Sequence, residues 1–319
     1  MLDVVGFGSL CIDFTFLVEK LPRKGFSSLA TASSIGCGGI IGNFLVGCSR
    51  LGLKCGVIGI IGEDSCGRML LDCLTKAGID TSMLIIDTSG PTAKVICMVD
   101  KSGERTFIVD PGVQARAKVL TGVEDYVSRC RAFHTDCLEV NLAIKLLKAA
   151  RSNGAITSID VSALVEHALH GVNERWICDV LRSCDVAFIA EANAKKLFPG
   201  LRPIEVLNSM LQHGVKIAVL TLGERGCIVA EGDKLMRVKA FEVDVVDTTG
   251  AGDSFEAGFI SSLLRGFSSK DAAIVGCAVA ALKCTKLGAQ AGLPTLKDLI
   301  NFLAERGFER IASLLTSFL

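Results

Sequence analysis

Residues 245–259, VVDTTGAGDSFEAGF, hold the types and spacing that could do chemistry. Asp247, Thr248 and Thr249 lead into Gly250, Ala251 and Gly252, a stretch almost free of side chains, and the carboxylate of Asp253 stands where an apolar helical pattern begins. A helix N-terminus presents unpaired N–H groups and a partial positive charge, so it attracts anions. Glycines let an anion approach the backbone closely, and GAG before a helix therefore reads as a cradle of backbone N–H groups. Asp253 is either an N-cap of that helix or a general base. A base beside an anion cradle suits transfer of a phosphoryl group to a hydroxyl: the base takes the proton while backbone donors hold the developing charge. Residue types alone leave the capped glycine turn and the catalytic pair both open. The stretch is not a Walker A loop, since no G-x-x-x-x-G-K-[ST] occurs, and GFGSLC at 6–11 lacks the third glycine of a dinucleotide fingerprint.

Such a cradle must be positioned by a scaffold, and the chain alternates in a way that predicts one. Apolar runs at 3–10, 55–62, 155–161, 185–190 and 215–223 read as strands, and amphipathic stretches between them read as helices. Strands alternating with helices predict a mostly parallel sheet covered on both faces. Continuous rather than alternating apolar strands agree with burial on both sides. Residues 14–35 and 91–110 break the rhythm and read as hairpin material, the second with a turn at Lys101-Ser102-Gly103. The simplest organisation is one domain over 1–319, with a small β flap from both insertions.

The 34 basic and 34 acidic residues balance to zero, which argues against a nucleic-acid or anionic-membrane partner. The longest apolar runs fall far below the roughly 18 residues of a membrane span, and the N-terminus has no basic leader. Fourteen cysteines without any C-x-x-C pair read as buried thiols in a reducing cytoplasm.

DTTGAGDSFEAGF closely resembles the C-terminal signature of the PfkB, or ribokinase-like, carbohydrate kinases. Further segments, in order, resemble that family: GSLCID after the first strand, GCGGIIGNFLVGCSRLG at 36–52, IGEDSCGRMLLDCLTKAGID at 61–80, TLGERGCIV at 221–229 and KLGAQAGLP at 286–294. The resemblance spans nearly the whole chain. It implies an α/β ribokinase-like three-layer αβα sandwich with a mostly parallel central sheet, the insertions forming a lid that excludes water. It implies ATP-dependent phosphorylation of an alcohol on a sugar, polyol or nucleoside, with Asp253 as base and Gly250, Ala251 and Gly252 as anion hole. Asp13, Gly38, Gly39 and Asn43 match the sugar-binding positions, and Glu139 matches a further one less closely. A solvated helix-start role suits Glu139 as well. Thr221, Gly223 and Gly226 match the loop along the nucleotide, and residues 277–283 would flank the adenine. Mg²⁺ is implied with ATP, and Asp247 and Thr249 match a monovalent-cation (K⁺) site of some members, where turn hydrogen bonding is the plainer role. A homodimer through the lid is a further expectation.

The chain departs from the pattern in two places. The family's N-x-x-E segment is AEANAKKL here, with Ala190 at the Asn position and Asn193 at the Glu position; Glu191 could substitute only if the loop were shifted. After the middle strand, Asp160 is present, but Ser162 and Leu164 stand at later positions of a D-x-N-x-R pattern. These changes thin the support for metal and phosphate, and leave a rival expectation: a degenerate member that binds a sugar or nucleoside without efficient turnover. Arg23, Lys24 and Arg105 read as solvated lid residues. His167 and His170, three apart on a helix, have no nearby Cys, Asp or third His to complete a metal site, only Glu166, and His134 and His213 read as isolated structural histidines.

Overall fold

The computed structural model describes residues 1–101, 105–119, 122–162, 164–165 and 174–319. The turn residues Ser102 and Gly103, with Glu166, His167 and His170, lie outside the described residues, as does the side chain of Arg105.

Nine strands form one sheet in the order β13-β12-β11-β10-β9-β8-β1-β4-β5. They are β1 (Leu2–Phe7), β4 (Cys55–Gly62), β5 (Asp80–Asp87), β8 (Cys130–Thr135), β9 (Ile156–Asp160), β10 (Val186–Ala190), β11 (Ile217–Thr221), β12 (Cys227–Glu231) and β13 (Lys234–Val238). From β5 to β11 all pairs are parallel; β12 and β13 add an antiparallel edge. Successive side chains in a strand point to opposite faces. Val4 and Val57 therefore join the core beneath helices Ile40–Arg50, Ala251–Leu264 and Ser269–Cys284. Val5 and Ile58 join a second core beneath Val140–Ser152 and Pro203–Gln212. Two cores on one sheet make the three-layer sandwich.

A second, four-stranded sheet has the order β3-β2-β6-β7, from β2 (Cys11–Val18), β3 (Ala30–Gly38), β6 (Lys94–Val99) and β7 (Arg105–Asp110). The hairpins β2–β3 and β6–β7 are antiparallel, and a parallel β2–β6 pairing joins them. Among the described residues no helix is long and apolar enough to cross a membrane.

Candidate active site

Parallel strands release their loops at their C-terminal ends, and the crevice where strand order reverses favours ligands. The order reverses between β1 and β8: the chain runs from β1 to β4 and β5 on one side, then returns to β8 on the other. Four carboxylates interact there: Asp13 in β2, Asp136 just after β8, Asp160 ending β9, and Asp253.

Asp253 lies in the first turn of helix Ala251–Leu264, whose N-cap is Gly250, with no side-chain cap. Asp253 is therefore inside the helix and does not cap it. Gly250 has φ 75°, a left-handed conformation that glycine adopts freely. Asn43, in helix Ile40–Arg50 and nearly fully buried, donates from Nδ2 to Asp253 Oδ2 over 2.7 Å. Burial pushes the Asp253 carboxyl up to about 7; the Asn43 donor works against that rise, and the Asp160, Asp13 and Asp136 charges add to it. A base poised near neutrality is matched to its task. Burial also lifts Asp160 to about 6, against the Ser162 N–H that donates to its Oδ1 over 2.7 Å.

Asp13 accepts from the Cys11 thiol over 3.1 Å, and burial raises its carboxyl. Its carboxylate lies where a Cβ on Gly38 would sit, so Gly38 is the space that seats Asp13. Gly39 is the N-cap of the helix carrying Asn43. Glu139 caps helix Val140–Ser152, accepting from Leu142 N over 2.6 Å. Glu139 thus fills the helix-start role that its position also suggested.

A cleft of about 850 Å³, within the usual range for ligand sites, joins Thr221, Gly223 and Gly226 to Ala251 and Gly252, with Phe241 and Cys277 on its walls. The residues expected along a nucleotide and two of the three expected in an anion hole, Ala251 and Gly252, thus share one cavity. The Ala251 N–H is spent on Thr248 O at 3.2 Å, which leaves the cradle to the neighbouring backbone. Of residues 277–283, Cys277, Ala280 and Ala281 line this cleft and Lys283 does not. It is fully buried, and its Nζ donates to the backbone carbonyl of Asp247 over 2.7 Å. The Asp247 carboxylate is also engaged. Oδ1 accepts from Thr249 N (2.8 Å) and Oγ1 (2.7 Å), and Oδ2 from Gly288 N (2.8 Å). Asp247, one of the two residues implied for a monovalent cation, therefore meets a protein cation.

Ala190 caps the short helix Glu191–Leu197 without a side-chain bond. Glu191 is held by Arg225 (2.7 Å) and Lys195 (3.6 Å), which together keep its carboxyl below the usual range. Glu191 is thus tied to Arg225, in the loop that follows β11.

Further contacts surround the carboxylate cluster. Gln290 Nε2 donates to Asn43 Oδ1 over 3.0 Å and so braces the donor to Asp253; Cys73 in turn donates to Gln290 Oε1 over 3.4 Å. Asp136 accepts from Ser9 N (2.9 Å) and Leu138 N (3.0 Å), fixing the loop after β1. Glu256, one turn beyond Asp253, lies 3.1 Å from buried His134, which stacks on Phe44. Burial raises the Glu256 carboxyl and lowers His134 to about 3, so both are neutral. The amide in KLGAQAGLP and the lysine closing an apolar helix were the available signals for Gln290 and Lys283.

The model of the pfkB family of carbohydrate kinases matches residues 1–296. The chain is 29% identical over 323 residues to a probable fructokinase-5 of Arabidopsis thaliana, covering 92% of this chain and 95% of that one. It superimposes on the crystal structure of ribokinase from Thermotoga maritima with a TM-score of 0.81 at 25% identity, over 95% of this chain and 100% of the other. It matches a putative ribokinase II from E. coli, solved with ATP and Mg²⁺, with a TM-score of 0.81 at 22% identity, over 96% and 100%.

Proposed function

The chain belongs to the pfkB family of carbohydrate kinases and is an ATP-dependent sugar kinase; from that premise we propose that Asp253 is the base that takes the proton from the acceptor hydroxyl. The observation that carries this is the single geometry joining Asp253, its Asn43 donor and the glycine mouth of the helix. Asp13 and Asn43, seated by Gly38 and Gly39, hold vicinal hydroxyls of a sugar, polyol or nucleoside. ATP lies in the cleft between Thr221, Gly223 and Gly226 and the Gly250–Gly252 cradle, whose backbone donors and helix dipole stabilise the transferring phosphoryl group. Among the described residues no three His, Cys, Asp or Glu side chains converge as metal ligands. That suits Mg²⁺ held through the nucleotide's phosphates and water rather than by a protein cage. Bound there, Mg²⁺ would neutralise charge on the phosphates. The small sheet acts as the lid over the sugar, and all fourteen cysteines carry free thiols, which suits a reducing cytoplasm.

The rival reading, a degenerate binder, is favoured by Ala190 and Asn193 together with the commitment of Glu191 to Arg225. An ADP-release screen over sugars, polyols and nucleosides separates the two. Asp253→Asn should lower turnover on an accepted substrate by at least about a hundredfold and leave sugar affinity by titration nearly unchanged. Undiminished turnover would refute Asp253 as base, and sugar binding without ADP release by the parent enzyme would favour the rival.

A further inference from the structure

Lys283 is the one lysine among the largest fully buried side chains. Taking an ammonium out of water is costly unless its charge is answered, so its surroundings show what it does. It lies in the last turn of helix Ser269–Cys284, where the helix dipole favours a cation. The Asp247 carbonyl accepts from it at 2.7 Å, and the Asp247 carboxylate is close enough to feel its charge. The same loop is tied to the helix end a second time, through Val246 N and Asp247 N donating to Cys284 O at 2.8 and 3.1 Å. On its far side, Gly288 N–H holds Asp247 Oδ2, and Ala289 packs where a Cβ on Gly250 would sit. The ammonium therefore sits under the loop that shapes the anion cradle.

We propose that the Lys283 ammonium stands in place of the monovalent cation implied at Asp247 and Thr249, and that this kinase therefore works without potassium. A lysine ammonium has the charge of K⁺, is of comparable size, and here meets the backbone carbonyl of Asp247, one of the two residues implied for that cation. Being tethered, it is present at high effective concentration and leaves no site to saturate. Lys283 is a positioning residue: it acts through residues 247–250 on the cradle and not on the substrate.

The activity arm rests on the kinase reading; the binding arm does not. In the first arm, the parent enzyme is assayed on an accepted sugar at constant ionic strength in NaCl, KCl and tetramethylammonium chloride. Equal rates are expected, and stimulation by KCl overturns the proposal without any variant. In the second, Lys283→Ala is compared with Lys283→Met, which keeps the stem and removes the charge. Lys283→Ala should lose about tenfold to a hundredfold in turnover, the scale of a misplaced reacting group, and recover saturably with K⁺ or NH₄⁺ but not Na⁺. Lys283→Met should lose as much and stay low. A folded Lys283→Ala enzyme that is fully active in Na⁺, or impaired and deaf to K⁺ and NH₄⁺, overturns the replacement. The binding arm reads Tl⁺ by ²⁰⁵Tl NMR and the thermal midpoint in KCl against NaCl. Only Lys283→Ala should bind Tl⁺ and be stabilised by K⁺; Tl⁺ binding to the parent protein overturns the proposal even if no sugar is ever phosphorylated.

Discussion

Truncating Asn43 to alanine should move the acid limb of the pH–rate profile upward by about one unit, the shift carried by about 1.4 kcal/mol. Asn43 Nδ2 donates to Asp253 Oδ2 at 2.7 Å, in a pocket where burial has already pushed that carboxyl up to about 7. A hydrogen bond to a charged group contributes roughly 1.5–3 kcal/mol and one between neutral groups about 1 kcal/mol, so the donor favours the ionised form by on the order of 1 kcal/mol. Its loss raises the carboxyl further. If Asp253 is the base, as proposed, its ionised form is the active one, and activity falls as pH falls through this value. At pH 7 the ionised fraction drops from about one half to about one tenth, roughly a fivefold loss that alkaline pH restores. The assay is ADP release at saturating sugar and ATP from about pH 6 to 9.5, the range that brackets both values. Saturation separates this effect from any loss of sugar contact by Asn43. Gln290→Leu keeps the donor and removes its 3.0 Å brace, so it should shift the limb the same way by less. A limb that stays put or moves down in Asn43→Ala would refute the reasoning.

Gly38→Ala places a Cβ on the Asp13 carboxylate and should raise the sugar KM by about tenfold to a hundredfold, the worth of one or two lost charge-assisted hydrogen bonds; the KM for ATP should hold, and an unchanged sugar KM would clear Gly38 of that role. Across the small sheet Ile35, Phe14, Ile96 and Ile108 stand in one register row, with Ile35 and Ile108 more than half exposed. We expect this face to pair with a second copy, so Ile35→Lys with Ile108→Lys should convert a sedimenting dimer to a monomer; a parent protein that sediments as one chain at high concentration would sink the expectation.

The parts of the site that were legible in the sequence are those whose function is written in local backbone. GAGD before an apolar helix announces a bare helix mouth and a carboxylate because both depend on neighbouring residues only. The strand Cys55–Gly62 was equally plain, since all eight of its residues are buried and its apolar run is unbroken. By contrast β8 carries Arg131 and His134 in its short run, and His134 is tolerated inside only because Ser158, Glu256 and Phe44 surround it from other elements. The half-exposed β5 and the mostly exposed edge strand β13 also lack a continuous apolar signal. What tunes Asp253 was invisible for a related reason. Asn43 is 210 residues away and its brace Gln290 is 247 from Asn43, and only the reversal of strand order at β1 and β8 brings them together.

The same crowding sets an electrostatic problem for the proposed base. Asp13, Asp136 and Asp160 surround Asp253 and help hold it near neutrality, which suits a proton acceptor. A nucleotide brings several more negative charges toward that cluster. Every one of them would raise Asp253 further and keep it protonated, unless positive potential lies closer to the phosphates than to the base. The uncapped mouth of helix Ala251–Leu264 supplies part of that potential. A further positive charge beside the loop is the ammonium of Lys283, which donates to the Asp247 carbonyl three residues before the helix N-cap. A covalently held cation keeps this balance whatever salt surrounds the enzyme. That gives a buried lysine at this position a physical reason beyond packing. It also ties the two tests together: losing the charge in Lys283→Met should carry the acid limb of Asp253 upward, in the same direction as Asn43→Ala, and a limb moving down would separate the ammonium from the base.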